Sequence, residues 1–210
     1  MTTLKQLIQA GEHECQDFKM RVDDQQKIAR TLVAFANTNG GRLLIGVKDN
    51  GKITGVFPEE EFHVIKGAAE LFCQPALSFQ SRIWEENLKL VLEIEVEPNP
   101  KRFVKAKDED GNWKCYVRVK DETVKANKIL IKLWHLEHNV IQKPLTFKNN
   151  ELECLKVLSE SQKPLTLSQL YKSLPFSKKE VDDSLTLLVH WNMVKWIFEE
   201  GFYKYGAINC

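Results

Sequence analysis

The sequence predicts an α+β protein of two domains, a larger one built on a mixed sheet and a smaller one of three helices and a hairpin. Three observations predict this class. Helical and strand periodicities alternate through most of the chain, Asn39-Gly40-Gly41 joins a helix directly to an apolar strand, and the pattern changes after Pro144. The 210 residues, 43% of them hydrophobic, are enough for two cores.

The elements of the first domain follow from the spacing of apolar residues. Ile28, Leu32 and Phe35 recur at helical intervals on one face, whereas segment 89–97 alternates apolar and polar residues as a half-buried strand does. Glu86-Asn87 between two such strands predicts an antiparallel hairpin. The predicted helices are 4–10, 24–37, 58–72 and 127–137, and the predicted strands are 15–20, 42–48, 53–56, 77–85, 89–97 and 113–120.

A proline-containing segment, Gln142-Lys143-Pro144, marks the predicted domain boundary. Proline discourages continuation of the helix before it, and a new periodic pattern begins directly afterwards. We therefore expect a first domain over residues 1–141 and a second over residues 145–210.

The second domain has the pattern of a winged helix-turn-helix. Thr166-Leu-Ser-Gln169 and Ser177-Lys-Lys-Glu180 are capping boxes that open its second and third helices. Two predicted strands, 194–198 and 202–205, follow on either side of Glu199-Glu-Gly201. Three helices and a hairpin in this order predict a small winged helix domain.

The composition limits the possible functions. Lys and Arg number 30 against 29 Asp and Glu, a net charge of +1, so any nucleic-acid contact has to come from local patches. No apolar run reaches the roughly 20 residues of a membrane helix and no signal-peptide core is present, so we expect a cytoplasmic protein without membrane contact. Five widely spaced cysteines suggest neither a disulfide framework nor a zinc site.

Two segments stand out by their residue types. An acidic strand, Glu12-His-Glu-Cys-Gln-Asp-Phe-Lys19, precedes the helix end, turn and buried strand of Phe35-Ala-Asn-Thr-Asn-Gly-Gly-Arg-Leu-Leu-Ile-Gly-Val47. Together they resemble the signature of the Schlafen AlbA-type domain, over about residues 4–137. The resemblance implies a nucleic-acid-binding protein of bacterial type, with DNA preferred to RNA and transcriptional regulation as the expected role.

Three carboxylates, Glu12, Asp17 and Asp49, are the candidate catalytic residues. In the Schlafen branch, acids at these positions gather a divalent metal that cuts RNA, which makes a Mg²⁺- or Mn²⁺-dependent ribonuclease the alternative function. The chain departs from that pattern, since Asp17 replaces a glutamate and Lys48 stands where a second acid is common. We therefore expect carboxylates that cap turns or pair with lysines, no bound cofactor, and weak or absent nuclease activity.

Basic side chains on extended segments are the candidate nucleic-acid contacts. Tyr116, Arg118 and Lys120 share one face of an alternating strand, which gives a basic stripe with an aromatic ring for stacking. A solvated edge strand would show the same pattern. The resemblance matches Arg118 to a Tyr-x-Arg strand of the family. The predicted contacts are Lys19, Arg21, Lys101, Arg102, Lys105, Arg118, Lys120, Lys178 and Lys179.

The third helix of the winged helix domain carries an ambiguous charge pattern. Lys178 and Lys179 lie at its start, where a recognition helix meets the major groove. Glu180, Asp182 and Asp183 follow at once, and Glu199-Glu200 occupy the tip of the hairpin. This acidic face would repel a phosphate backbone. DNA binding by this domain therefore competes with a role in dimerisation or protein docking.

The glycine pair Gly40-Gly41 admits two interpretations. It could form a backbone cradle for a nucleotide phosphate, but it matches no phosphate-binding motif and lies between a helix end and a strand. We favour a helix C-cap before a core strand.

A homodimer is the expected assembly. The eukaryotic Schlafen relatives fuse two such domains in one chain, whereas this chain has a single copy, so symmetric pairing would rebuild the same groove. Trp134, Trp191 and Trp196 are the expected apolar contacts. A third function class remains open, an adaptor that dimerises and binds no nucleic acid.

Overall fold

The computed structural model describes residues 3–138 and 147–208 of the chain. The chain forms two compact units, Met1–Ala126 and Asn127–Cys210. The predicted boundary at Gln142-Lys143-Pro144 lies outside the described residues. The helix that precedes it belongs to the second unit, whereas the sequence pattern groups that helix with the first domain. Within the described ranges, no helix is long and apolar enough to cross a membrane.

Over residues 3–126, the first unit contains three helices and eight strands. In chain order they are α1 (Leu4–Ala10), β1 (Gln16–Lys19), α2 (Gln25–Asn37), β2 (Gly41–Ile45), α3 (Pro58–Leu71), β3 (Cys73–Gln74), β4 (Gln80–Glu86), β5 (Lys89–Val96), β6 (Lys105–Lys107), β7 (Trp113–Val119) and β8 (Glu122–Lys125). The predicted strand over 53–56 is reduced to a single bridge between Val47 and Ile53.

The first sheet is mixed, which confirms the predicted α+β class with a mixed sheet. Its strand order is β1-β2-β5-β4. β1 runs parallel to β2, with Asp17 opposite Leu43, and the other pairs are antiparallel. β4 and β5 form the predicted hairpin, with Asn87 and Leu88 in its turn.

Helices cover both faces of this sheet. α2 begins after Asp24, whose carboxylate accepts hydrogen bonds from the Gln26 and Lys27 amides at 2.8 and 3.1 Å. α2 and α3 pack on one face, in a core that includes Leu32, Phe35, Leu43, Ile65, Leu92 and Ile94. α1 packs on the other face, in a core of Leu4, Leu7, Phe18, Leu44, Val47 and Val91.

The second sheet is antiparallel and lies on the opposite side of α2. Its order is β3-β6-β7-β8. Val104, Ala106 and Tyr116 join the same core as α2, so the helix is held between the two sheets. The sequence pattern predicts one sheet, because only β7 among these four strands is long enough to show a clear periodicity.

Asn37 and Thr38, at the end of α2, connect the helix to the second sheet. The buried Asn37 amide donates to the carbonyls of Val104 and Tyr116 at 2.8 and 3.0 Å and accepts from the Val104 amide at 3.1 Å. The Thr38 hydroxyl accepts from the Arg118 amide at 2.9 Å. These bonds satisfy main-chain groups that would otherwise be buried without partners.

The glycine pair is a structural turn. Gly40 has a φ of 72°, and a Cβ on it would lie 2.8 Å from the Val96 carbonyl oxygen. A Cβ on Gly41 would clash with the ring of Phe35. The close approach of helix and strand requires both glycines, which supports the helix C-cap over a phosphate cradle.

The second unit contains helices and one small sheet. Its elements are α4 (Lys128–His138), α5 (Asn149–Glu160), β9 (Leu165–Thr166), α6 (Leu167–Ser173), α7 (Lys178–His190), β10 (Val194–Glu199) and β11 (Phe202–Ala207). β10 and β11 form a hairpin, and β9 pairs with the outer side of β11. Both predicted capping boxes are confirmed, at Thr166 and at Ser177.

Candidate nucleic-acid interface

Glu12 and Asp17 lie side by side at one edge of the first sheet. Asp17 is in β1, and the Glu12 carboxylate accepts a hydrogen bond from the Phe18 amide at 2.9 Å. Burial raises the pKa of the Glu12 carboxyl, the Phe18 bond lowers it, and the neighbouring Asp17 carboxylate raises it again, with a net rise. The structure thus brings two of the three candidate acids together.

Two cations neutralise the buried Asp17 carboxylate. Lys19 Nζ lies 2.9 Å from Asp17 Oδ2, and Arg118 Nη2 lies 3.9 Å from Oδ1. The Arg118 guanidinium also donates to the Thr123 hydroxyl at 3.1 Å and to the His13 carbonyl at 3.3 Å. Asp17 is therefore part of a closed network of ion pairs and hydrogen bonds.

Asp49 lies on an exposed turn after β2. Over residues 3–138 and 147–208, no group of three or more His, Cys, Asp and Glu side chains could hold a metal ion. Hard divalent cations need oxygen ligands that are free of competing cations, and Asp17 already has two cationic neighbours. The residues at this edge do not fit Mg²⁺ or Mn²⁺, and no metal-assisted step follows from them.

The structure places Arg118 inside the first unit, whereas the sequence pattern predicts a surface contact. The face of β7 that carries Tyr116 and Arg118 packs against α2, and the guanidinium lies 5.1 Å from the Phe35 ring centre. Arg118 is only 3% exposed. Lys120, the third member of the predicted stripe, follows β7 and is exposed. Strand alternation identifies which residues share a face, but not which face a helix covers.

The other face of the same strands carries a half-buried lysine beside an exposed tryptophan. β6 and β7 place Lys107 opposite Trp113, and Lys107 Nζ lies 5.3 Å from the indole ring centre. Lys105, two residues earlier on the same face, is exposed. Lys107 and Trp113 are not among the predicted contacts because β6 is too short to predict, although the alternation Lys105-Ala106-Lys107 is a usable signal.

The remaining predicted contacts of the first unit fall into two groups. Lys101 and Arg102 precede β6 and Lys120 follows β7, and because these strands are antiparallel the three residues lie at the same end of the sheet. Lys19 and Arg21 instead pair with acids, Arg21 with Asp23 at 2.7 Å, so their charges are locally neutralised.

The start of α7 is less acidic than its sequence suggests. Lys178 and Lys179 are exposed there, as a recognition helix would require. Asp182 is buried and pairs with Lys128 of α4 at 2.7 Å, and Asp183 pairs with Lys132 at 2.6 Å. The two aspartates are therefore neutralised by α4 and do not oppose a phosphate approaching the helix start.

A polar groove on the α1 side of the first sheet is absent from the sequence analysis. The buried Glu93 carboxylate accepts from Trp84 Nε1 at 2.6 Å and pairs with Arg42 at 3.3 Å, and the Arg82 guanidinium lies 4.3 Å from the Trp84 ring centre. The groove has a volume of about 430 Å³. Its polar residues come from β2 and from the hairpin of β4 and β5, which lie far apart in the sequence, so no local pattern reveals it.

These features define a class of α+β domain in which one helix is held between a mixed and an antiparallel sheet, and its end is fixed by an Asn-Thr-x-Gly-Gly turn. The chain belongs to the family described as Schlafen, AlbA_2, whose model matches residues 12–127. The matched region contains the signature segment and both sheets. No curated protein matches the chain.

Two solved structures resemble parts of the chain. A crystal structure of a protein from Corynebacterium diphtheriae is 15% identical, with a TM-score of 0.43, and the match covers 92% of this chain and 52% of that one. The solution structure of the N-terminal domain of a RecG-related protein from Nitrosomonas europaea is 20% identical, with a TM-score of 0.38, and covers 55% of this chain and 82% of that one. The chain thus spans about half the length of the first of these proteins.

Proposed function

We propose that this protein binds nucleic acid, with DNA preferred to RNA, through a basic cluster on its second sheet. The observation that carries the proposal is the cluster of Lys105, Lys107 and Trp113 on one face of β6 and β7. Membership of the Schlafen, AlbA_2 family supports it.

The cluster has the chemistry that an unselective nucleic-acid contact needs. Two lysines on one strand face supply point charges for phosphates, and an indole ring beside them offers a stacking surface for a base. Lys101, Arg102 and Lys120 extend the positive charge from one end of the sheet. A local cluster of this kind is required because the chain as a whole has a net charge of only +1.

The second unit has a supporting part in the proposal. We assign it as a winged helix domain whose helix α7 presents Lys178 and Lys179 to the DNA backbone. Two DNA contacts in one chain fit a transcriptional regulator that acts in the cytoplasm as a homodimer, in which two copies double the contact area.

A salt-titrated binding assay on the full chain tests this function. Fluorescence anisotropy with labelled duplex DNA, single-stranded DNA and structured RNA is measured between roughly 50 and 200 mM salt, with and without Mn²⁺. We expect the tightest binding to duplex DNA, with a logarithmic slope of about −2 to −5 against salt. Salt-independent or absent binding to all three probes contradicts the proposal, and Mn²⁺-dependent cleavage of the RNA replaces it with the ribonuclease alternative.

A further inference from the structure

Among the described residues, no strand pairs with the outer edge of β4. β4 is the last strand in the order β1-β2-β5-β4, and its seven residues are exposed or half-buried. Ile83 in its centre is 57% exposed. The strand contains no proline, lysine or bulge, and its charged residues are Arg82, Glu85 and Glu86.

The main-chain groups along this edge are arranged for pairing with another strand. Asn87 and Leu88 have φ angles of 52° and 61°, which define a two-residue hairpin turn whose flanking residues, Glu86 and Lys89, exchange main-chain hydrogen bonds. Because hydrogen-bonded and non-hydrogen-bonded pairs alternate along the ladder, the amide and carbonyl groups of every second residue of β4 point away from β5. The residues whose amide and carbonyl groups point outward are Ser81, Ile83 and Glu85.

The tryptophans expected at a dimer contact are poor candidates for one. Trp134 is only 4% exposed. The ring of Trp191 packs against Phe147 at 5.3 Å, and that of Trp196 packs against Tyr203 at 5.6 Å between ring centres. A dimer contact is better supplied by the edge of β4.

We propose that two copies of the chain pair antiparallel along β4, with Ile83 of each copy opposite Ile83 of the other on a two-fold axis. The inference rests on the homodimer in the proposed function and names its interface. Pairing in this way joins the first sheets of the two copies into one continuous sheet and forms about six main-chain hydrogen bonds. It also removes two exposed isoleucine side chains from water.

The side chains of β4 are complementary to themselves in this register. Arg82 lies opposite Trp84 of the second copy, where its guanidinium can approach the indole ring. Ser81 lies opposite Glu85 and Gln80 opposite Glu86, and each pair combines a hydrogen-bond donor with a carboxylate. No like charges face each other, and the strand is paired along its whole length.

The neighbouring registers are less favourable. A shift that centres the pair on Arg82 places two guanidinium groups opposite each other. A shift that centres it on Trp84 places Ile83 opposite a carboxylate, that of Glu85. Both shifts leave the strand ends unpaired, and like charges directly opposite destabilise a strand pair. The Trp84 shift would still place Arg82 opposite Glu86, so full-length pairing and the Ile83 contact, together with the Arg82 repulsion in the other shift, favour the register centred on Ile83.

The test measures the mass of the full chain by analytical ultracentrifugation at micromolar concentrations. We expect the wild type to have twice the 24.3 kDa mass of one chain. Ile83→Lys places like charges opposite each other on the axis and should raise the dissociation constant about tenfold or more. The matched control, Ser81→Lys, places a lysine opposite Glu85 and should leave the dimer intact. An equimolar mixture of Ile83→Lys and Ile83→Glu should restore the dimer.

The outcomes separate the interface from the wider proposal. Circular dichroism verifies that each variant is folded, which the exposure of Ile83 favours. If Ile83→Lys remains a dimer, or if Ser81→Lys dissociates equally, the β4 interface is wrong while the homodimer stands. If the wild type is a monomer, both are wrong. Nucleic-acid binding by the Lys105 and Lys107 cluster is measured separately and is decided by neither result.

Discussion

The two faces of β6 and β7 use basic residues in opposite ways. On the face toward α2, Arg118 is buried beside Phe35 and bonds to neighbouring residues. On the other face, Lys105 is exposed and Lys107 lies over Trp113. The sequence around each residue looks similar, an alternating strand with a cation and an aromatic residue. The difference teaches that the role of a cation on a strand depends on which face the neighbouring helix covers.

The largest effect is expected from removing the buried arginine. Arg118→Ala leaves the Asp17 carboxylate with one cation fewer in a closed site and opens a cavity next to Phe35. We expect the free energy of unfolding, measured in urea, to fall by about 3–5 kcal/mol. Lys120→Ala is the control on the same strand end, with a change within about 0.5 kcal/mol. A loss below about 1 kcal/mol for Arg118→Ala means that Arg118 is a surface residue after all.

Asn37→Ala tests whether the signature segment is part of the scaffold. The substitution leaves the Val104 amide and carbonyl and the Tyr116 carbonyl without the side chain that bonds them. We expect a loss of about 2–3 kcal/mol in unfolding free energy. Asn39→Ala, which removes one exposed hydrogen bond to Glu14, should cost less than about 1 kcal/mol. Equal losses for the two asparagines contradict a special role for Asn37.

Several elements of this fold can be predicted from the sequence, because short-range patterns determine them. α1 spans the predicted residues, and the hairpin of β4 and β5 follows from alternation and a short polar turn. β3, β6 and β8 have only two to four residues each, too few to show a period. The burial of Arg118 depends on a helix that is far away in the sequence. Its place in the site could therefore be found only from the structure.

A smaller change in the free energy of unfolding, in the stabilising direction, is expected from a substitution at the Glu12 and Asp17 carboxylate pair. Because the pKa of Glu12 is raised above its ordinary value of 4.5, its ionisation costs stability as the pH rises through the raised pKa. Glu12→Gln keeps an oxygen for the Phe18 amide and removes the repulsion from Asp17. We expect a gain of no more than about 1 kcal/mol at neutral pH, because Glu12 is partly exposed.

The pH dependence of thermal unfolding tests whether Glu12→Gln stabilises the protein. The wild type should lose stability relative to Glu12→Gln between pH 4.5 and neutrality, and the two proteins should converge below pH 4.5. Glu14→Gln, at a half-buried acid two residues away, serves as the control for the removal of one nearby carboxylate. If Glu12→Gln is less stable than the wild type at neutral pH, the charge of Glu12 is needed in the fold.

The most direct test of the account compares two pairs of lysines in the duplex DNA binding assay. The first double variant, Lys105→Ala and Lys107→Ala, removes the lysines beside Trp113. The second, Lys27→Ala and Lys66→Ala, removes the same charge from exposed positions on α2 and α3. We predict that the first pair lowers the affinity and reduces the salt slope by about 2, and that the second pair leaves the slope unchanged. Equal slopes for the two variants, or an unchanged slope in both, would contradict the assignment of the nucleic-acid interface to this face of the second sheet.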